Sequence, residues 1–595
     1  MRLPRKEVLL LKLIKKLAVS FGEYKKSLLL SVLLVVVECV FDILLPRYMA
    51  KLIDFGIESG KVSNIFLYGG ILLLISILAL VTGIFSAHFA AVSSAGFAKN
   101  LRKRIYGKVQ TFSFSNIDRF STSGLVTRLT TDVSNVQNAA QSVVRSVVRA
   151  PVMIVFVLVS AFSISVRLSL VFLYFVPVAL VALLLILRVA FPLMERVFAT
   201  YDGLNNVVQE NVRGARVVKS YNREEHETKK FSAVSGLIKN LFAHAEKVLA
   251  LNRPVMQLMM NATFLAVAWV GARLIVKSGN NPAEGMTTGY LMTMIAYTSQ
   301  LLINVMGISM IFAMLTISRA SAERICEVLD EESSIASPEN AVREVRDGSI
   351  DFEHVCFSYQ GEGGRKSLKD ISLHINSGEM IGIIGGTGSS KSTLVQLIPR
   401  LYDATEGEVR VGGENVRDYD LDALRGAVAM VLQKNELFSG TVKSNLLWGN
   451  ENATDEQIRH ACCVAQADEF IQSFPDGYDS EIEQGGANVS GGQKQRLCIA
   501  RALVGAPKIL ILDDSTSAVD TQTDARIRKA FREELPDVTK LIIAQRITSV
   551  QDADRILVLD NGQIVAFGTH DELLAESPIY REVYQSQMKG GEENA

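Results

Sequence analysis

The chain lacks a net charge: Lys plus Arg and Asp plus Glu number 62 each in 595 residues. That balance excludes a globally basic nucleic-acid binder and an acidic disordered tail. Cysteine is scarce and scattered, with six residues at Cys39, Cys326, Cys356, Cys462, Cys463 and Cys498. Their spacing carries neither a disulfide framework nor a CxxC zinc pattern, so they read as reduced, buried thiols. A cleavable leader is lacking too, because no small-residue cleavage site precedes the first long apolar run. What abounds is apolar residue: 49% of the chain is hydrophobic and 21% charged, with a mean hydropathy of +0.24. Such a composition implies that apolar residues are segregated. The length exceeds one compact domain, since domains run to about 100–200 residues.

Six runs are long enough to span a bilayer, which takes about 20 apolar residues. They are Leu28–Met49, Ile65–Phe89, Val143–Ser163, Leu168–Phe191, Val255–Val276 and Tyr290–Met314. A basic amphipathic stretch, Lys6–Ala18, precedes them. Its apolar residues Val8, Leu9, Leu11, Leu13, Ile14 and Leu17 suit the membrane surface. Lys and Arg crowd residues 1–26, the stretch between runs two and three, and the stretch between runs four and five. The positive-inside rule therefore sets both termini in the cytoplasm. The two inner connections are too long for turns, and their regular patterning predicts helices continuing into the cytosol.

Residues 330–344 are polar and acidic with a proline, and read as a linker. Beyond them, short β-rich runs (Ser349–Phe357, Met380–Ile384, Ala429–Leu432, Ile509–Leu512, Lys540–Ala544, Arg555–Leu559) alternate with helical stretches. This pattern predicts an α/β domain with a largely parallel sheet. Gly385, Gly386, Thr387, Gly388, Ser389, Ser390, Lys391, Ser392 and Thr393 follow a strand and open a helix predicted over Thr393–Leu401. Backbone N–H groups of such a loop wrap phosphates. Lys391 would reach the β/γ-phosphates and Ser392 would ligate Mg2+. The run Ile509–Leu512 ends in Asp513 and Asp514. Asp513 fits a ligand of the Mg2+–water shell, and Asp514 stands where it can act on attacking water. Ser490, Gly491, Gly492 and Gln493 open an apolar helix, read as a second anion-binding helix terminus or a simple serine N-cap.

Taken together, these motifs make the chain resemble an ATP-binding cassette (ABC) exporter half-transporter, over essentially its full length. The resemblance implies an all-α polytopic membrane domain of six transmembrane helices with long cytosolic extensions, fused to an α/β P-loop NTPase domain with a helical subdomain. The expected boundaries are 1–26 for the basic segment, 27–329 for the membrane domain, 330–344 for the linker and 345–595 for the cassette. Coupling helices are expected near 115–121 and 211–218. By the same resemblance Tyr359 stacks on adenine, Gln433 senses Mg2+, Ser490–Gln493 form the signature, and Asp520 closes the loop that crosses the dimer interface. ATP and Mg2+ are the implied cofactors, with Ser392, Gln433 and Asp513 around the metal.

Three departures stand out. Ser390 replaces a glycine, Asp514 replaces the family's usual glutamate, and Gln545 replaces the histidine that contacts the γ-phosphate. A glutamine donates a hydrogen bond but cannot become a cation. Asp514 and Gln545 are the candidate catalytic residues. ABC cassettes pair head to tail, so these departures describe the degenerate-site subunit of a bacterial heterodimeric multidrug-type exporter in the plasma membrane. Its intact signature would serve a second half-transporter, and the cargo would be an amphipathic small molecule, drug- or lipid-like. The alternatives are a homodimeric exporter with slow sites and an ATP-gated membrane regulator that does not pump. In the first span Glu38 and Asp42 share a helix face. They read as a cavity site for cations, as partners of Arg47, Arg145 or Arg149, or as residues near the membrane surface. Met256, Met259, Met260, Met292, Met294, Met306 and Met310 fit either a promiscuous apolar surface or ordinary packing.

Overall fold

The computed structural model describes residues 5–280, 286–361 and 363–592, in two compact units. The first unit comprises residues up to 110 together with 122–331. Among the described residues it carries six helices long and apolar enough to cross a membrane: Lys12–Ile57, Val62–Gln110, Thr122–Ile164, Val166–Met194, Glu224–Ser278 and Thr288–Ile308. The helix Val62–Gln110 has 49 residues. At 1.5 Å per residue it is about 74 Å long, more than twice the ~30 Å hydrocarbon core. That excess carries the helix well beyond the bilayer. Val35, Cys39, Met153, Val157, Phe172, Met294 and Tyr297 are buried where the spans meet. Leu29, Leu33, Phe66, Leu73 and Leu80 are exposed along the outside, as lipid-facing residues are. The Tyr297 hydroxyl donates to the Ile43 carbonyl at 3.0 Å and lies 2.8 Å from Ser160 Oγ, so one polar group ties three spans together.

The basic segment is helical over Arg5–Ala18. Leu13 and Leu17 are buried, and Lys16 pairs with Asp330, so part of its apolar face is covered by the protein itself. The side chains of Val8, Leu9 and Leu11, like that of Met310, lie outside the described residues. Of the other methionines, Met256 and Met294 are fully buried while Met292 and Met306 face outward, so they form no single surface.

Of the three candidate arginines, Arg149 is the partner of the first-span acids. Its guanidinium donates to Glu38 Oε1 at 2.5 Å and to Asp42 Oδ2 at 2.7 Å. Arg47 instead donates to the Ser160 carbonyl at 3.2 Å and to Ser163. Removing one member of an enclosed ion cluster leaves the others desolvated and unpaired, which typically costs 3–5 kcal/mol. Arg149 is 37% exposed, so about 2 kcal/mol is a fairer figure here. Arg149→Ala should therefore lower the melting temperature of the detergent-solubilised chain. The triple change Glu38→Gln, Asp42→Asn, Arg149→Met should recover most of the loss, because no charge is left behind. Equal melting of wild type and Arg149→Ala would show that the cluster contributes nothing.

The second unit joins residues 111–121 to residues 332–595. Within it the short helix Phe114–Phe120 is closed by a Ser113/Asn116 capping box. The Asn116 amide donates to the Glu332 carbonyl at 3.1 Å, and the Tyr402 hydroxyl donates to Asp118 at 2.7 Å. The second expected coupling helix is displaced. Residues 211–213 still belong to the long helix Val166–Arg213, Gly214 breaks it, and the short helix is Ala215–Ser220.

A six-stranded sheet runs in the order Gln563–Gly568, Arg555–Asp560, Met380–Ile384, Thr539–Ile543, Ile509–Asp513 and Val428–Val431. Its last four neighbouring pairs are all parallel, and only the Gln563–Gly568 edge is antiparallel. A separate antiparallel sheet pairs Ile350–Phe357 with Leu368–Ile375 and with Glu406–Val411. The three central strands of the parallel sheet are buried at every residue, as strands covered on both faces must be.

Candidate functional site

Parallel α/β sheets bind ligands beyond the carboxyl ends of their strands. Here three neighbours end together: Ile383, Ile543 and Asp513 stand in one row of the register. Just past that row come Gly385, Gln545 and Asp514, contributed by three segments far apart in sequence. They line a cavity of about 330 Å3 with Tyr359, Thr387, Gly388, Ser390, Lys391, Ser392, Thr393, Gln433 and Asp513. Gly386 and Ser389 belong to the same loop but do not line it. The Ser389 N–H donates to the Gly386 carbonyl at 3.2 Å, which folds the loop onto itself. At Gly385 a Cβ would lie 2.1 Å from the Leu559 carbonyl, so only glycine lets the loop leave its strand there. The loop's helix runs Lys391–Gln396, starting two residues earlier and ending five earlier than predicted.

The chemistry of this cavity is concentrated in six side chains. Lys391 Nζ donates to the Gly385 and Gly386 carbonyls at 2.9 Å each and to Ser389 Oγ at 3.3 Å. Burial lowers its pKa, against the opposing pull of Asp513 and Asp514. Ser392 Oγ donates to Asp513 Oδ1 at 2.9 Å. Asp513 is 3% exposed, and burial raises its pKa despite that hydrogen bond. A hydroxyl and a buried carboxylate in contact are hard oxygen ligands, and a carboxylate this desolvated favours a cation beside it. The pair thus fits Mg2+. Gln545 Nε2 donates to Asp514 Oδ2 at 2.8 Å. Asp514 has φ 50° and its N–H donates to the Ile543 carbonyl. Tyr359 lies over the loop, its hydroxyl 3.0 Å from Thr393 Oγ1.

Ser390 has φ 73°, ψ 26°, the left-handed region where a side chain is strained. The serine is therefore held in a glycine's conformation. Ser390→Gly should leave thermal stability at or slightly above that of the parent. The β-branched Ser390→Val should fall about 1–2 kcal/mol below it. Equal stabilities in the full-length protein would mean that the left-handed turn has been lost.

Two predicted groups stand apart from the cavity. Ser490 caps the helix Gly491–Val504 in a reciprocal box with Gln493, so both readings of that terminus have a geometric basis. A Cβ at Gly492 would lie 2.9 Å from the Ala518 carbonyl, which presses this helix start against the loop after Asp514. Asp520 caps the helix Thr521–Glu534, accepting from the Thr523 N–H at 2.9 Å, which holds its pKa below the usual carboxylate value.

The sequence reading missed three residues. Tyr402 packs edge-on against Tyr359 at 5.3 Å between ring centroids. Gln495, 6% exposed, donates to Ser517 Oγ at 3.2 Å and accepts from the Ala518 N–H at 2.9 Å. Gln587 contacts the segment that carries Gln545. Each occupies an ordinary-looking helical or loop position, and only the glutamine two past Gln493 lay near a motif.

A lysine-bearing phosphate loop, a serine–aspartate pair and an adjacent acid define a nucleotide-binding cassette, here fused to six membrane spans. Family comparison identifies the fusion. An ABC transporter transmembrane region matches residues 28–312, and an ABC transporter model matches residues 368–517. The chain belongs to the ABC transporter family. It is 36% identical over 559 residues to the uncharacterized ABC transporter ATP-binding protein YfiB of Bacillus subtilis, covering 94% of this chain and 96% of that protein. An uncharacterized ABC transporter ATP-binding protein of Mycobacterium tuberculosis is 35% identical over 569 residues, covering 95% and 96%. A solved bacterial Atm1-family ABC exporter with ATP bound shares the fold at TM-score 0.80 and 22% identity, over 95% of this chain and 99% of that one. The chain is thus a multi-pass membrane protein of the ABC exporter fold, with an ATP-binding cassette.

Proposed function

We propose that this chain is one half of a heterodimeric bacterial exporter that moves amphipathic small molecules outward across the plasma membrane. Its own nucleotide site holds ATP and turns it over slowly, while Ser490–Gln493 complete the partner's faster site. The observation that carries this reading is that Ser390, Asp514 and Gln545, the three departures, line one cavity, whereas the signature motif is unaltered. Orientation with both termini in the cytoplasm is supported by the Lys and Arg distribution.

In mechanism, Tyr359 would support the adenine and Lys391 the β/γ-phosphates. Ser392, Asp513 and Gln433 would hold Mg2+, which neutralises phosphate charge when bound. Asp514 would orient water, at reduced efficiency, because its carboxylate sits about one carbon–carbon bond, ~1.5 Å, nearer the backbone than a glutamate's. ATP binding would draw two cassettes together, and the segments at 114–120 and 215–220 would carry that motion to the spans.

One observation favours a second reading, a homodimer with two slow sites: Asp514 is held by Gln545 at 2.8 Å rather than left without a partner. Affinity purification of the tagged chain from its native membrane separates the two. Recovery of a second half-transporter with glutamate after its magnesium aspartate and histidine in its switch position is the expected result. Recovery of this chain alone would overturn the heterodimer.

A further inference from the structure

The last helix, Pro578–Glu592, is anchored by Tyr580, which is fully buried, and by Tyr584, which is partly buried on the same core. His570 Nδ1 lies 2.6 Å from the Tyr580 hydroxyl. Positions 580, 584 and 587 follow the i, i+4, i+7 spacing of one helix face. That face therefore delivers Gln587 to the segment after the strand Thr539–Ile543. There its amide spans two backbone groups. Nε2 donates to the Gln545 carbonyl at 2.9 Å, and Oε1 accepts from the Ile547 N–H at 2.8 Å. Gln545 is thus gripped on its main chain from one side while its side chain donates to Asp514 on the other. Ile547 itself is buried, so the clamp closes on a fixed point rather than a loose loop.

We infer that Gln587 is a positioning residue: through its two backbone hydrogen bonds the C-terminal helix sets where the Gln545 amide stands, and so how well the cavity distinguishes ATP from ADP. Gln587 does not line the phosphate-loop cavity; it lines a neighbouring one that Asp514 and Gln545 share. Its influence runs only through the placement of Gln545. The inference rests on the proposal that this cavity binds ATP with Gln545 near the γ-phosphate.

The test is binding of fluorescent ATP and ADP analogues to the full-length chain, in wild type, Gln587→Ala, Gln545→Ala and the double variant. Gln587→Ala should lower the ratio of ATP to ADP affinity about three- to ten-fold, within the range of one ordinary net hydrogen bond, because the Gln545 amide is displaced rather than removed. ADP affinity should stay within two-fold of wild type. Gln545→Ala should give the same loss, and the double variant no more than either alone, since both act through one amide. Gln587→Glu keeps the acceptor for Ile547 but loses the donor to Gln545, and should fall between wild type and Gln587→Ala. An unchanged ratio, an equal loss of both nucleotides or fully additive losses would overturn the inference while leaving the functional reading intact. A wild-type chain that binds neither nucleotide would overturn both.

Discussion

Lys391→Ala should weaken ATP binding by at least 100-fold, the largest single loss expected from this chain. The ammonium is held over the loop by three oxygens within 3.3 Å, on the loop proposed to hold the β/γ-phosphates. A hydrogen bond to a charged group is worth about 1.5–3 kcal/mol, and a lysine between two phosphates makes more than one. The burial that lowers its pKa in the absence of phosphate works in the same direction. A polyanionic ligand beside it favours the charged form. Lys391→Arg should recover only part of the affinity, because the fork of a guanidinium does not fit a cradle shaped around a point charge. Ser392→Ala provides the contrast. It should weaken binding in the presence of Mg2+ and leave Mg2+-free binding near wild type, since Ser392 faces Asp513 rather than the loop carbonyls. Titration of a fluorescent ATP analogue with and without Mg2+ measures all three. An affinity for Lys391→Ala within three-fold of wild type would remove this cavity as the ATP site.

Most of the membrane half was legible because its signal is long and simple: a run of about 20 apolar residues has few alternative explanations. The nucleotide loop was legible for a different reason. A fully apolar strand, a glycine-rich turn and a helix occur there in immediate succession, and local chemistry alone requires that order. Sequence reading passed over the strands Leu368–Ile375, Glu406–Val411 and Gln563–Gly568. Their residues alternate or are charged, so a search for apolar runs skips them, although the buried positions of Leu368–Ile375 fall at Leu368, Ile371, Leu373 and Ile375. The partner of Glu38 and Asp42 could only be narrowed to three arginines. Choosing Arg149 requires knowing how two spans rotate about their axes, which periodicity does not specify when a helix is apolar all round. The second short helix begins after Gly214, four residues past the expected start at 211, because the long helix before it runs on to Arg213. Gln495 and Gln587 escaped notice because a polar residue on a helix has a solvated face as its default interpretation. Their roles depend on which loops the sheet topology brings to those helices.

Restoring both departures at the reacting end, Asp514→Glu with Gln545→His, should raise ATP hydrolysis by the isolated chain at least ten-fold. General-base catalysis contributes about 10²–10⁴-fold, and a carboxylate short by ~1.5 Å forfeits part of it. Neither change should suffice alone. Asp514→Glu extends the carboxylate into the cavity but breaks the 2.8 Å bond that now orients it, and it places a longer side chain at φ 50°, a conformation aspartate tolerates better than glutamate. Gln545→His supplies a group that can donate to the γ-phosphate and carry positive charge, yet leaves the base short. In the complex co-purified from native membrane the outcome should be different. If the partner's site already turns over, repairing this one adds at most about two-fold to total hydrolysis, whatever the intrinsic gain from a restored base. A large gain in the isolated chain beside a small one in the complex is therefore the result expected of a degenerate half. An equally large gain in both would mean that the sites at Asp514 limit the rate in the native assembly, as they must in a homodimer. No gain in either would show that the replaced residues are not what slows this site, and the three departures in the cavity would lose their meaning as a functional signature.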